Sequence, residues 1–316
     1  MKHSIPRRAL WLGCTAAAAL AAAALRRWQL RSAFEEYTGL AIRGAQASVI
    51  LICVLVIAGA WFLILSLAGQ PLSARWNQVF LSVGDPVYPV LEIAAAFLAI
   101  AAVPVLFIVG VDQFQIYQEM KAIGLQPPTD NGLLTLATAG GAFLAALGLL
   151  QTGRDGLRSG RRGRGGFSAA LPGVAGCVWL MESFRTHAAN PVRWDYAPQL
   201  LAIVLGMAFY MDFAGMSAGA ARPRRLLWMA GMTAVFSAVA LVTAASELAA
   251  RSAVGLSLCS AQLGDLLLLL SQTLAAAGVL WRLPPSLDGP SLNDTSGPVG
   301  PRPEPTQEIQ EDADNE

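Results

Sequence analysis

An acidic residue inside an apolar stretch is the feature of this sequence that most directly suggests chemistry. Asp212 lies in the segment AFYMDFAGMSAG, within an apolar run that begins at Ala197. Ionisable groups inside a membrane are energetically expensive and often mark proton or ion sites. At a rise of roughly 1.5 Å per residue, Asp212 lies about 22 Å into this helix, level with Gln272 and Thr233. We predict that neutral Asp212 hydrogen-bonds one of these two side chains, because burial disfavours the charged form.

Small residues share the helix face that carries Asp212. Ala208, Asp212, Gly215 and Gly219 follow one another at intervals of four, three and four positions, which places them on one side of a helix. Gly215 and Gly219 form a small-x-x-x-small pattern that lets helices approach closely. The pattern predicts helix packing at Ala208, Gly215 and Gly219. Two interpretations of Asp212 stay open: an interhelical hydrogen bond, or a proton or cation site in a transporter.

A second group of polar residues is expected where several helices end on the outer side of the membrane. It combines acids, bases and one histidine: Glu182, Arg185, His187, Arg193, Asp195, Glu247, Arg251 and Asp265. Opposite charges at this face can form ion pairs that hold the helix ends together, or they can line a polar cup for a small solute. The sequence favours the structural interpretation and does not identify a ligand.

Motifs for catalysis or metal binding are weak. The GMSAG segment around Ser217 matches G-x-S-x-G, but that motif requires a strand–turn–helix setting and here lies in an apolar helix. The two histidines, His3 and His187, and the four scattered cysteines form no zinc-binding pattern. No glycine pattern for phosphates or dinucleotides stands out. The sequence therefore predicts no enzymatic activity, no cofactor and no metal site.

The elements that position these residues follow from composition. Apolar residues make up 55% of the 316 residues and charged residues 14%, whereas soluble domains carry about 25% charge. Lipid must therefore solvate much of the chain. Segments of roughly 20 apolar residues span a bilayer as helices, and the sequence contains eight: 9–25, 48–69, 90–111, 133–151, 168–186, 197–219, 225–248 and 259–281. We predict an all-α, polytopic transmembrane helical bundle over residues 1–282.

The two ends of the chain differ from this body. The first apolar segment also has the basic start and small-residue site of a cleavable signal peptide, and its removal would leave seven spans. We favour a retained helix. Residues 283–316 are rich in Pro, Ser, Gly and acids, so we predict a disordered acidic tail.

Basic residues predict the orientation. They cluster at the N-terminus and in the loops after the fourth and sixth spans, the loop arginines being Arg154, Arg158, Arg161, Arg162, Arg164, Arg222, Arg224 and Arg225. Cytoplasmic loops are enriched in Lys and Arg, so we predict a cell-membrane protein with cytoplasmic termini. Arg26 and Arg27 oppose this, and an alternative keeps residues 1–47 inside without a first span. We interpret the arginine–glycine loop as a topology signal and predict no specific binding of nucleic acid.

Two stretches of the sequence resemble a known group of proteins. RRWQLRSAFEEYTGL after the first helix, and NPVRWDYAPQLLA at the start of a later one, are similar to segments of uncharacterised multi-pass membrane proteins of clostridia and related Gram-positive bacteria. The resemblance covers most of the body but not the tail. It implies the architecture and no particular chemistry.

These observations lead to three functional hypotheses. The first is a structural, accessory or sensing component that works in the lipid bilayer with other membrane protein subunits. The second is a small-solute or ion transporter that uses Asp212 or the outer face. Transporter helices are often broken at the midplane, and Pro104 and Gly140–Gly141 are the best positions for a break. The third, a membrane-embedded enzyme, lacks a catalytic constellation.

Overall fold

The chain forms a bundle of α-helices. The computed structural model describes residues 7–35, 40–67, 79–80, 86–126, 131–157, 167–188, 196–220, 222–257 and 259–284. Eight α-helices lie within these ranges: α1 Arg7–Ser32, α2 Gln46–Leu67, α3 Val87–Ala122, α4 Leu133–Leu157, α5 Leu171–Ala188, α6 Ala197–Ser217, α7 Pro223–Ala253 and α8 Ala261–Arg282. A one-turn 3-10 helix, Ser168–Ala170, leads into α5. The predicted all-α fold class is confirmed. Of the predicted acidic tail, residues 285–316 lie outside the described residues.

Each predicted span coincides with one of these helices. By length and composition, seven of the helices in the described ranges can cross a membrane, and α5 is the one that is not among them. α5 has 18 residues and carries Glu182, Arg185 and His187 towards its end, which makes it the more polar element. It packs between α4 and α6 all the same. The chain is therefore an integral membrane protein built as a polytopic helical bundle.

Successive helices alternate in direction, so the bundle has two ends. We call the end that contains the start of α1 the near end, and the opposite one the far end. At the near end Arg8 lies 4.6 Å from the ring centroid of Trp281, so the start of α1 adjoins the end of α8. At the far end Gln199, near the start of α6, donates a hydrogen bond to Asp265, near the start of α8. The start of α1 and the end of α8 therefore lie at the same end of the bundle.

α7 is the helix on which α1 and α2 pack. The Trp228 indole of α7 donates a hydrogen bond of 3.0 Å to the Gly59 carbonyl of α2. Gly231 leaves room for the Phe62 ring, since a β-carbon there would lie 3.1 Å from it. Phe62 in turn stacks on Trp11 of α1, with 5.9 Å between centroids. These contacts join the first two helices to the rest of the core.

Alanines line the face of α3 that packs against α4 and α8. Ala95, Ala99 and Ala102 are fully buried and recur at helical spacing. Small side chains let helix backbones approach closely in a membrane, and Ser271 of α8 donates a 2.7 Å hydrogen bond to the Ala95 carbonyl. α3 runs unbroken through Pro104, and α4 through Gly140–Gly141, so neither predicted break is present.

The outer surface of the bundle is apolar. Ile52, Val56 and Ile57 on α2 are each more than half exposed. A soluble monomer seldom presents an apolar surface this continuous, whereas hydrocarbon solvates it without cost. The exposure of these side chains therefore agrees with a lipid-facing helix.

Hydropathy located the helices but not all their limits. α1 continues past residue 25, where the predicted span ends, to Ser32. Arg26 consequently lies inside the helix, 1% exposed, and its Nε donates a 3.0 Å hydrogen bond to Thr243 of α7. α6 ends at Ser217, so Gly219 follows the helix instead of belonging to it. A neighbouring helix can supply a hydrogen bond to a polar side chain within a span. The hydropathy of one segment does not take that neighbour into account, so it placed the end of α1 too early.

Candidate functional site

Asp212 pairs with an arginine of the following helix. Its Oδ2 lies 2.8 Å from Arg225 Nε, in an ion pair whose Asp212 side chain is 10% exposed and whose Arg225 side chain is 48% exposed. The predicted hydrogen bond to Gln272 or Thr233 is wrong. Asp212 stands in the last turns of α6, and the short connection to Pro223 brings the first turn of α7 back beside it. A long arginine side chain can reach an acid across such a turn.

Gln272 and Thr233 occupy other positions. The Gln272 amide of α8 donates to the Ala202 carbonyl at 2.8 Å and to the Ser237 hydroxyl at 3.2 Å. It sits against Gly206, where any β-carbon would overlap the amide group. The Thr233 hydroxyl is buried and has no hydrogen-bond partner among the described residues. The three residues predicted as one intramembrane site are therefore not brought together.

The predicted packing face at Ala208, Gly215 and Gly219 also differs from the structure. Ala208 is only partly buried. A β-carbon at Gly215 would meet only the Ala220 carbonyl, at 3.7 Å, and one at Gly219 would meet nothing within 4 Å. Gly219 has a φ of +92°, a left-handed conformation that suits glycine just after a helix. The pattern serves to end α6, and the close approach to α8 occurs at Gly206 instead.

A polar cavity opens at the far end of the bundle. Its volume is about 470 Å³, and four helices and the residue that precedes α6 line it with Leu30, Thr186, His187, Tyr196, Thr243, Ser246, Glu247, Ala250, Arg251 and Gln262. We call this the far-end cavity. Pockets of roughly 300–1,000 Å³ are typical of small-molecule sites. Three members of the predicted outer-face cluster, His187, Glu247 and Arg251, meet here.

α7 supplies the charged wall of the far-end cavity. Thr243, Glu247 and Arg251 recur at intervals of four residues, so one face of the last turns of α7 presents all three. The Arg251 Nε atom is buried and has no hydrogen-bond partner among the described residues. Opposite this wall, the His187 and Tyr196 rings stack at a centroid distance of 4.6 Å. The cavity thus has an acid, a base with an unsatisfied donor and a flat aromatic pair.

Asp265 belongs to a separate network beside the far-end cavity. Its two carboxylate oxygens accept hydrogen bonds from the Trp179 indole at 2.7 Å and from the Gln199 amide at 2.8 Å. These bonds join α8 to α5 and α6. The imidazole of His187 also lies within electrostatic range of Asp265. Asp265 therefore joins three helices through hydrogen bonds from neutral side chains, and not through the ion pairs predicted for the cluster.

The remaining members of the cluster lie elsewhere. Glu182 is buried and has an oxygen 3.4 Å from the Thr135 hydroxyl of α4, away from the cavity lining. Arg185 is exposed. Arg193 and Asp195 fall outside the described residues. The outer-face cluster therefore divides into a cavity wall, an interhelical clamp and a buried acid.

Several lining residues were not identified as site residues from the sequence. Thr186, Ser246 and Gln262 are uncharged and give no signal of their own, and Tyr196 by itself resembles any aromatic residue at a membrane interface. Thr243 could have been found from its spacing of four to Glu247. Its partner Arg26 could not, because only the packing of α1 on α7 places a buried arginine there.

The described residues include no group of three or more His, Cys, Asp or Glu side chains arranged to hold a metal ion. In comparisons with known proteins, no family model, curated protein or solved structure matches this chain. The resemblance to clostridial membrane proteins stays a prediction, and the function must be argued from the site itself.

Proposed function

We propose that this integral membrane protein binds a small polar solute in the far-end cavity and acts as a sensing or accessory component of its membrane. The observation that carries this proposal is the unsatisfied Arg251 Nε in the wall of a cavity of about 470 Å³. A buried donor without a partner costs roughly 1–3 kcal/mol. A ligand that accepts its hydrogen bond recovers that free energy.

The lining indicates the class of solute. Arg251 favours an anionic group, and Glu247 on the adjacent turn of α7 favours a cationic one. The stacked rings of His187 and Tyr196 offer a flat surface to the body of the ligand. A small zwitterion, such as an amino acid, complements both charges, whereas a simple carboxylate or a simple amine complements only one.

Ligand-dependent thermal stability tests this function. The full chain, purified in detergent, is heated with amino acids, simple carboxylates or simple amines. A ligand at a hundred times its dissociation constant adds about 2.7 kcal/mol to the free energy of unfolding. We expect a zwitterion to raise the melting temperature, and we expect Arg251→Gln and Glu247→Gln each to abolish the rise.

Two exposed residues provide matched controls. Arg27 and Glu119 lie on the surface outside the cavity lining. Arg27→Gln and Glu119→Gln remove the same charges and are expected to leave the ligand-dependent rise intact. Equal loss in all four variants would mean a nonspecific charge effect and would contradict the proposal.

A transporter is the second candidate function. A further cavity of about 40 Å³ lies within the bundle, and Thr138, Tyr210, Ser271 and Gln272 supply its polar lining. This is enough space for a water molecule, so a polar solute could be hydrated inside the bundle. The continuous helices α3 and α4 argue against a site at a broken helix. Uptake of the stabilising solute into sealed liposomes would favour transport over sensing.

The setting of the protein is part of the proposal. We infer a location in the bacterial cell membrane, with both termini in the cytoplasm and other membrane subunits as partners. Among the described residues, Arg154 at the end of α4 and Arg222, Arg224 and Arg225 at the start of α7 support this orientation. A binding role is preferred to an enzymatic one because the sequence offers no nucleophile–base pair.

A further inference from the structure

Four oxygen-bearing side chains meet inside the bundle at the near end. Tyr88 and Glu92 of α3 are each 1% exposed, Thr152 of α4 is buried, and Asp155 of α4 is half-buried. We call them the near-end cluster. They lie at the opposite end from the far-end cavity, so the following inference does not depend on the proposed function.

Two glycines of α4 make the near-end cluster possible. A β-carbon at Gly153 would lie 3.2 Å from the Pro89 carbonyl and 3.3 Å from Glu92 Cβ, and one at Gly156 would lie 3.3 Å from the Tyr88 ring. α3 and α4 therefore approach closely where Glu92 stands. The interior position of Glu92 is a product of this packing.

The hydrogen bonds of the Thr152 hydroxyl indicate that the Glu92 carboxyl group carries a proton. The Thr152 hydroxyl lies 2.9 Å from the Leu149 carbonyl and 3.5 Å from Glu92 Oε2. A hydroxyl has one hydrogen to donate, and the shorter contact to Leu149 uses it. A carboxylate at Glu92 would then face the lone pairs of Thr152, whereas a carboxylic acid can donate to them.

Two more oxygens of the cluster lie close by. The Tyr88 hydroxyl and Asp155 Oδ2 are buried and make no hydrogen bond of good geometry within the described residues, and the Tyr88 hydroxyl adjoins that of Thr152. The charges of Glu92, Asp155 and Arg282 all act on the Tyr88 hydroxyl, so these groups surround it. These two oxygens, next to a buried acid, suit a bridging water, which can both donate and accept hydrogen bonds.

Each helix packed around Glu92 contributes a titratable or charged group. They are Tyr88 on α3 itself, Asp155 on α4, Tyr210 on α6 and Arg282 on α8. Arg282 is already engaged, because its Nε donates a 2.7 Å hydrogen bond to the Val79 carbonyl.

We propose that Glu92 is an intramembrane proton-binding site, which takes up and releases one proton through Thr152, Tyr88 and Asp155 at the near end. The proton leaves the Glu92 carboxyl oxygen, passes along hydroxyl oxygens or a bridging water, and reaches Asp155, which is half-buried near the end of α4. No bond other than an O–H bond is made or broken. The ligand of this site is the proton itself.

Infrared spectroscopy of the full chain in lipid nanodiscs tests this proposal. A buried carboxylic acid has a C=O stretching band that shifts in heavy water, and the band disappears when the acid ionises. We expect such a band in the wild type and its loss on raising the pH. Glu92→Gln should remove it, while Glu119→Gln, at an exposed position, should keep it. A pH-indicating dye should record about one proton fewer released per chain in Glu92→Gln.

A second variant keeps the test decisive if Glu92→Gln does not fold. Asp155→Asn leaves the Glu92 carboxyl in place, and we expect its band to persist but to titrate at a different pH. A band that survives in folded Glu92→Gln, or that titrates identically in Asp155→Asn, would overturn the proposal. So would loss of the band at constant pH when sodium replaces potassium, because the site would then bind a metal cation.

Discussion

Single side chains decide how closely the helices of this bundle approach one another. Gly206 is the clearest case, because it makes room for the Gln272 amide, which is fixed by hydrogen bonds to Ala202 and Ser237. A flexible side chain could move away from an added methyl group. Gln272 cannot do so without losing both bonds inside the bundle.

We therefore expect Gly206→Ala to lower the free energy of unfolding by about 1–3 kcal/mol, the cost of overpacking or of a lost buried hydrogen bond. Gly140→Ala is the matched control, since a β-carbon there meets nothing within 4 Å. It should be neutral or raise the stability by up to about 1 kcal/mol through helix propensity. Thermal unfolding in detergent compares the two. Equal effects would show that the contact with Gln272 is unimportant.

The Asp212–Arg225 ion pair is a second local interaction, and its free energy can be measured. Arg225 is 48% exposed, so water and salt screen the interaction. A double-mutant cycle with Asp212→Asn and Arg225→Gln should give a coupling of about 0.2–1 kcal/mol that declines with salt. A coupling of several kcal/mol, unaffected by salt, would indicate a desolvated pair and would restore Asp212 as a candidate intramembrane site.

For α1, the sequence leaves open a retained helix or a cleaved signal peptide. The structure packs this helix against α2 and α7. Trp11 packs on Phe62 of α2 near one end of α1, and Arg26 binds Thr243 of α7 near the other. A segment with specific contacts at both ends behaves as part of the bundle. These contacts favour a retained helix over a cleaved signal peptide.

Adjacent arginines test the attachment of α1. We expect Arg26→Leu to destabilise the protein by roughly 1–3 kcal/mol, because it leaves the polar groups of Thr243 and Gln29 without their partner. Arg27→Leu, at the next and exposed position, should change stability by less than about 0.5 kcal/mol. Thermal unfolding of both variants, together with the intact mass of the purified chain, gives the answer. A mass lacking the first segment would contradict retention.

For the molecule as a whole, the alternation of the eight helices in the described ranges places the start of α1 and the end of α8 at the same end of the bundle. The α7–α8 connection, which contains the exposed Cys259, lies at the far end. With the near end in the cytoplasm, a membrane-impermeant maleimide should label Cys259 in intact cells. Tags at both termini should become accessible only after the cells are opened.

Cys259→Ser provides the control for this labelling. The other cysteines, Cys14, Cys53 and Cys177, lie within helices, so labelling should fall sharply in the variant. Persistent labelling, or a tag that is accessible in intact cells, would show that the orientation predicted from the basic residues is wrong.

Local patterns were enough to predict the helices but not their partners. All eight apolar segments coincide with helices, because a span must satisfy its backbone hydrogen bonds internally and reveals itself by composition. Glu247 and Arg251, two members of the predicted outer-face cluster, line one cavity. The prediction of helix packing at Gly215 and Gly219 is wrong. Two glycines at this spacing can either pack helices or end a helix, and the turn that follows decides which occurs.

The sequence is sufficient to establish a polytopic helical bundle, since the free energy of transfer to lipid depends on each segment by itself. It also locates the acids and bases that such a bundle must accommodate. The pairing of Asp212 with Arg225, the burial of Arg26 and Glu92, and the assembly of the far-end cavity depend on contacts between helices distant in sequence. Such contacts follow from the shapes of packed surfaces, which no single segment encodes.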